Sequence, residues 1–120
     1  MSARYDHLQA VPTDGAHAAE FFVMNDTLFV AIANFGDRHN ARYHSNSSVF
    51  QYVVREGANE QKVGSFQWQA SVNTYGATDW EYFELSSGMA FLAVSEEADM
   101  KRGVDSPFAS RVYRLDSKIV

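Results

Sequence analysis

One segment of the chain recurs about sixty residues later, and this constrains the fold more than any other feature. Residues 12–22 have the sequence PTDGAHAAEFF and residues 73–83 have NTYGATDWEYF, with Thr, Gly, Ala, Glu and the last Phe in common. Two shorter matches follow, FVAI with FLAV and then VF with VY, each with one further residue inserted between the copies. Single insertions of this kind belong in loops. The sequence therefore predicts two copies of one structural unit.

The matching pieces are short, aromatic and β-branched, which is typical of strands bounded by turns. Three strands are predicted in each unit, at residues 20–24, 28–33 and 48–54 and at residues 80–85, 89–94 and 111–115. A further strand is predicted at residues 65–72, and its counterpart at the start of the chain is residues 5–11. Good helix formers cluster only at residues 96–102, a window too short to form a helix alone, so it is predicted to be a loop.

The predicted fold class is all-β, with two four-stranded antiparallel blades of a β-propeller. The repeat units span about residues 5–64 and 66–120, and together they form a single propeller segment over residues 1–120. Two blades do not close a ring, so further blades are expected from other copies or from flanking sequence. Residues 5–11 of one copy are expected to pair with residues 111–115 of a neighbour in a closed homo-oligomeric ring, unless the chain is a fragment of a longer propeller.

Composition excludes several other classes of protein. The 120 residues are 46% hydrophobic and 14% aromatic, enough for one core, and the formal net charge is −5 without a run of Lys or Arg. This charge argues against nucleic acid or an anionic membrane surface as a partner. The absence of cysteine excludes disulfides and thiolate chemistry, and no segment has the apolar length needed for membrane insertion or a signal peptide.

The best-matching residues resemble a known family. Thr74, Gly76, Ala77, Trp80, Glu81 and Phe83, followed by FLAV and by SSVFQY in the first unit, are similar to the EAR repeat, also called EPTP, of the leucine-rich glioma-inactivated proteins. The similarity covers nearly the whole chain. It departs from the pattern where the first unit has Ala18 and Ala19 and where the second has Ser95 and Glu96. The resemblance implies a seven-bladed propeller on an extracellular or cell-surface protein that binds other proteins and is not catalytic.

The repeated residues are predicted to be structural. They are Gly15, Glu20, Phe22, Gly76, Trp80, Glu81 and Phe83. Trp80, Tyr82 and Phe83 are expected to pack between blades, because large aromatic side chains supply most of the apolar area there. The two glycines are expected at positive φ. The chain has no nucleophile elbow, phosphate loop or HExxH motif, so no enzyme is predicted.

The predicted ligand-binding face is formed by the long links between strands. In an antiparallel blade, residues 12–18 and 34–47 emerge on one face, as do residues 73–79 and 95–109. Long loops carry function more often than minimal turns do. The candidate residues for binding a protein or a sugar are Arg38, His39, Arg42, Tyr43, His44 and Asn46.

Cofactors are not predicted, with calcium as the one alternative. His39 and His44 lack the spacing of a known zinc site. Four acidic residues of the second long link lack calcium-loop spacing and are predicted to be solvated: Glu96, Glu97, Asp99 and Asp105. Asp79 stands at the entrance to the presumed innermost strand and is the candidate metal ligand, although Ala18 at the matching position halves the number of ligands.

The sequence therefore leaves two alternative functions. The first is a non-catalytic propeller module for protein–protein recognition. The alternative is a carbohydrate-binding lectin, in which small two-blade chains assemble into a ring and each pair of loops holds a sugar.

Overall fold

The chain folds into two antiparallel β-sheets. A computed structural model describes residues 5–37, 44–97 and 110–116. The first sheet has the strand order β1-β2-β3-β4, and the second has the order β5-β6-β7. The strands are β1 (Ala16–Met24), β2 (Thr27–Asn34), β3 (His44–Glu56), β4 (Lys62–Tyr75), β5 (Ala77–Glu84), β6 (Ala90–Glu96) and β7 (Arg111–Leu115), with a 3-10 helix at Ala58–Glu60. The predicted all-β class is confirmed. The described part of the chain contains no helix with the length and hydropathy of a membrane span.

Short turns join the first two strands of each sheet. Asn25 and Asp26 have φ of 52° and 60° and connect β1 directly to β2. Two consecutive positive φ values give a turn whose twist matches that of the paired strands, and Asn and Asp tolerate this conformation better than most residues. The equivalent turn between β5 and β6 uses Gly88 at φ 92°.

The two sheets begin with the same local geometry. Gly15 and Gly76 have φ of 63° and 60°, and each precedes a strand with a register shift two residues later. The carbonyl of Gly15 accepts a hydrogen bond from the N–H of Phe35 at 2.9 Å, and the carbonyl of Gly76 accepts one from Glu97 at the same distance. These pairs stand at corresponding places in the repeated sequence.

The hydrophobic core lies between the sheets. Phe22, Met24 and Phe29 contribute from the first sheet, and Trp80 and Leu92 from the second. Trp80 is 1% exposed, and its indole N–H donates a hydrogen bond to the carbonyl of Ile32 at 3.2 Å. A large aromatic side chain thus fills the core, and its indole nitrogen is hydrogen-bonded to the opposite sheet.

A second contact between the sheets joins their two edge strands. The ring of Tyr82 on β5 stacks on Phe22 of β1 with centroids 4.7 Å apart. The main-chain N–H of Tyr82 donates to the carboxylate of Glu20 at 2.9 Å. Glu20 therefore accepts a backbone N–H that has no strand partner, because β5 is an edge strand of the described sheet.

Residues 5–11, predicted as a strand that pairs with a neighbouring copy, form no strand within the single chain. The second sheet has three strands in the described residues. The amide side chain of Gln9 instead makes both hydrogen bonds to the main chain of Phe66, each at 2.8 Å. Val11 packs against Val30, Ile32 and Phe50 on the first sheet's far side. A side chain thus replaces part of a backbone ladder, and the segment packs on its own chain's first sheet.

The three aromatic residues expected between blades divide between the two faces of β5. Trp80 and Tyr82 pack between the sheets, whereas Phe83 is 61% exposed. Successive side chains of a strand alternate between its two faces, so Phe83 lies on the face turned away from the first sheet. The expected packing is therefore confirmed for Trp80 and Tyr82, and for Phe83 it stays a prediction.

Candidate functional site

The strand ends that the two long connections join lie at one end of the molecule, which we call the loop end. At this end β1, β3, β5 and β7 begin and β2, β4 and β6 end. Residues 35–43 join β2 to β3, and residues 97–110 join β6 to β7. The predicted emergence of both long connections from one face therefore agrees with the strand directions.

A buried polar network fixes the loop end of the first sheet. The side-chain oxygen of Asn34 accepts the N–H of Asp14 at 3.0 Å, and its NH2 donates to the carbonyl of Asn46 at 2.8 Å. Ser47 and Thr74 are fully buried, with hydroxyl oxygens 2.8 Å apart. The hydroxyl of Thr74 also lies 2.7 Å from the carbonyl of Ser45. These contacts tie the ends of β2, β3 and β4 to the link before β1, which makes this part of the loop end rigid.

An ion pair occupies the corresponding place in the second sheet. The side chain of Glu96 is only 4% exposed and accepts two hydrogen bonds from the guanidinium of Arg111, at 2.8 and 2.7 Å. It also accepts the N–H of Tyr75 at 2.9 Å, and Arg111 donates further to the carbonyl of Asn73. The hydrogen bond from Arg111 to Glu96 raises the pKa of Arg111 above its usual value. Fork-shaped pairing of this kind holds β6, β7 and the end of β4 in fixed positions.

Asn34 and Glu96 perform the same task in the two sheets. Each is the last residue of its strand, and each accepts the backbone N–H of the residue before the positive-φ glycine. Sequence reasoning missed both roles and placed Glu96 in a solvated loop. That prediction was wrong, because the carboxylate is buried against Arg111. The available signal was the alignment of Asn34 with Glu96 in the repeat, 62 residues apart.

The accessible part of the loop end combines aromatic and polar groups. The exposed ring of His44 stacks on Tyr75 with centroids 4.8 Å apart, and its Nε2 lies 3.4 Å from the side-chain oxygen of Asn73. His17 stacks on the buried ring of Phe35 at 4.6 Å. Flat rings held beside amide groups suit the recognition of a polar partner, because they offer apolar area and directed hydrogen bonds together.

The predicted binding residues fall into two groups. Arg38, His39, Arg42 and Tyr43 lie outside the described residues, as do Asp99 and Asp105. His44 and Asn46 are exposed, but they belong to β3 and not to a loop, because β3 begins four residues earlier than predicted. This early start follows from pairing of His44 with Tyr75 and of Asn46 with Asn73 on β4.

Asp79 lies on β5 at the register shift, where it is exposed. One of its carboxylate oxygens accepts the N–H of Trp80 at 2.9 Å. Within residues 5–37, 44–97 and 110–116, no three His, Asp or Glu side chains are grouped closely enough to hold a metal ion. The position gives Asp79 a local structural role as the acceptor at a bulge.

An apolar cavity of about 190 Å³ lies between the sheets, away from the loop end. Its walls come from β3 and β4 on one side and from β7 on the other, with Trp80 and Phe22 at its base. Among the described residues the first sheet has a fourth strand here and the second has three strands, so no described strand lies opposite β4. The cavity is explained by this difference in strand number.

Comparison of the chain with models of protein families, with curated proteins and with solved structures gave no match. The similarity to EAR repeats therefore remains a prediction from the residues quoted above.

The buried ion pair gives a first testable prediction. We expect Glu96→Ala to lower the free energy of unfolding by about 2 kcal/mol, because it removes the acceptor of both Arg111 and the N–H of Tyr75. Urea denaturation followed by circular dichroism measures this. Glu96→Gln keeps one acceptor oxygen and should lose less. The exposed Glu56 is the control, and an equal loss for Glu56→Ala would contradict the structural role of Glu96.

Proposed function

We propose that this chain is a non-catalytic binding module, formed by two β-propeller blades, that recognises another protein through its loop end. The observation that carries the proposal is that the strands joined by the long connections end and begin at this end in both sheets. There the last residue of the preceding strand, Asn34 in one sheet and Glu96 in the other, accepts the N–H of the residue before the positive-φ glycine. A rigid scaffold that presents variable connections side by side is the usual arrangement of a recognition surface.

The propeller assignment is supported by the way the sheets stack. Each sheet is a meander in chain order, and the first strand of the second sheet packs on the first two strands of the first. The two sheets also start with the same glycine conformation and the same register shift. Successive units of equal geometry stacked face to face are what a propeller requires.

A lectin is the second candidate, and one observation favours it. The exposed His44 ring, stacked on Tyr75 beside the amide of Asn73, offers a flat apolar surface with an adjacent hydrogen-bonding group. Sugars present both C–H faces and hydroxyl groups, so they match such a surface.

The two candidates are separated by comparing a glycan array with affinity capture from an extract, using the same tagged chain. We expect a protein partner to be captured and the array to be blank. Replacing Arg42, Tyr43 and His44 together by Ala should remove the captured partner while the melting temperature changes little, because His44 is exposed.

The control replaces three exposed residues at the opposite end of the first sheet, Arg55, Glu56 and Glu60, and should retain the partner. Capture that survives the first triple substitution, or that is lost equally in the control, would refute recognition through the loop end. Saturable binding to a defined glycan would favour the lectin.

A further inference from the structure

We propose that the chain binds a second copy of itself head to tail, with β1 of one copy packed on the free face of β5 and β6 of the next. The free face of the second sheet is the side turned away from the first sheet, and we call it the tail face. The exposed side of β1, which carries Ala19, Phe21 and Val23, is the head face. The inference rests on the equivalence of the two sheets and not on the ligand of the loop end.

The tail face is mainly apolar and exposed in the described residues, with the charged Glu81 and Arg114 on its two edge strands. Phe83 is 61% exposed, Leu85 42% and Val112 68%. Phe83 pairs with Phe91 across the sheet, and Val112 pairs with Ala93, so the four side chains lie on one surface. A continuous apolar surface of this kind usually marks a site of association.

The tail face of the second sheet corresponds in the repeat to the side of the first sheet that the second sheet covers. In the repeat, Phe83 corresponds to Phe22, Leu85 to Met24 and Val112 to Val49. Phe22 and Met24 belong to the core between the sheets, and Val49 packs against it. The same positions are therefore covered in the first sheet, where the second sheet lies on them.

The head face of β1 corresponds in the repeat to the side of β5 that packs on the first sheet. Phe21 corresponds to Tyr82 of β5, which stacks on Phe22. Phe21 and Val23 are 59% and 55% exposed. The ring of Phe21 has one edge contact with Phe66 of β4, at 6.1 Å between centroids, and most of its surface stays accessible. Val11 of the segment before β1 and Phe66 of β4 cover Val30, Ile32 and Phe50 farther across the sheet.

Two contacts between copies follow from contacts seen within the chain. Tyr82 stacks on Phe22, so Phe21 of one copy is placed to stack on Phe83 of the next. Glu20 accepts the N–H of Tyr82, so the exposed Glu81 is placed to accept the N–H of Phe21. The same bond pattern would be repeated at the edge of β1, which has no strand beside it in the described sheet.

A second copy of the chain is the partner that fits the tail face. Its head face corresponds in the repeat to the side of β5 that covers the first sheet, and the tail face corresponds to the side that is covered. Head and tail lie on different sheets of one molecule, so the contact is heterologous, and repetition of it builds a ring or a chain of copies. One difference weakens the contact: Ala19 stands where the second sheet has Trp80. The contact between copies is therefore smaller than the one between the sheets of a single chain.

The test is sedimentation velocity of the full chain over about 1 to 100 μM, a range that detects micromolar association. The wild-type chain is expected to form species larger than a monomer. Phe21→Glu, which disrupts the head, and Phe83→Glu, which disrupts the tail, are each expected to be monomeric. Glu81→Ala is expected to weaken association about tenfold, as loss of a hydrogen bond to a charged group does.

Mixing the two monomeric variants gives the sharpest result. Phe21→Glu retains its tail and Phe83→Glu retains its head, so an equal mixture is expected to form a dimer and nothing larger. Val63→Glu, which changes a valine exposed to 52% on the β3–β4 hairpin, is the control and should associate like the wild type. Circular dichroism checks the fold, and Val23→Glu and Val112→Glu replace any variant that fails to fold.

Three results would overturn the proposal. They are a wild-type chain that stays monomeric at the highest concentration, a head variant or tail variant that associates like the wild type, and a mixture without a dimer. Association of Phe21→Glu with itself would indicate a symmetric tail-to-tail contact and would likewise exclude the head-to-tail arrangement.

Discussion

Trp80→Ala is expected to lower the free energy of unfolding by about 3–5 kcal/mol, the usual cost of truncating a fully buried tryptophan. Trp80 is 1% exposed, and it packs against both sheets. Its removal also leaves the carbonyl of Ile32 without the indole donor. Small domains have a total stability of about 5–15 kcal/mol, so much of the fold's stability depends on this residue. Urea denaturation followed by circular dichroism measures the change.

Trp68 is the matched control, because it is the other tryptophan of the chain and is 62% exposed. Its indole donates only to Ser71, three residues away on the same strand. Trp68→Ala should therefore cost less than about 1 kcal/mol. Equal losses for the two variants would contradict the position of Trp80 between the sheets.

Gly15→Ala is expected to cost about 2–4 kcal/mol. A Cβ at this position would lie 2.1 Å from the carbonyl oxygen of Gly36, and the φ of 63° is unfavourable for any residue with a side chain. The strain of the left-handed conformation and the steric overlap therefore add to each other. The variant should also disturb the loop end, because Gly15 lies beside the link that Asn34 anchors.

Gly88→Ala separates the cost of the positive φ from the cost of the steric overlap. Gly88 also has positive φ, at 92°, but a Cβ there would have no heavy atom within 4 Å. This variant should lose only the conformational part, about 1 kcal/mol. Melting curves of the two variants measure the difference, and a loss at Gly88 as large as at Gly15 would show that the close approach to Gly36 is unimportant.

Much of the sheet structure could be predicted from the sequence. The last strand, Arg111–Leu115, matches its prediction at both ends, and β1 ends at Met24 as predicted. Alternating aromatic and β-branched residues mark these segments, and Asn25 with Asp26 marks the turn between two of them. Local preference and tertiary structure agree at these places.

Strand starts were harder to predict, for a physical reason. β1 begins at Ala16, although its first four residues, Ala, His, Ala and Ala, have weak strand preference. They pair because Gly15 and the register shift direct them alongside β2. β3 likewise begins at His44, where Ser47 and Thr74 bond through their side chains. Tertiary contacts determine these boundaries, and single-residue preference does not detect them.

The site was predicted only in outline. The direction of the strands was enough to place the long connections at one end. The residues that organise this end, Asn34 and the pair Glu96–Arg111, were not identified, because each acts through a partner distant in sequence. The segment at residues 5–11 forms no strand within the single chain for a similar reason, since the side chain of Gln9 satisfies the main chain of Phe66.

The stacking of the two sheets as equivalent units, with Trp80 between them, is tested most directly by hydrogen exchange of the two indole N–H groups. The chain has two tryptophans, so its NMR spectrum contains two indole signals. We expect the Trp80 proton to exchange as slowly as the strand amides of the core and to show a nuclear Overhauser contact with Ile32, while the Trp68 proton exchanges rapidly. Rapid exchange of both protons, without any contact between Trp80 and the first sheet, would contradict the stacked arrangement.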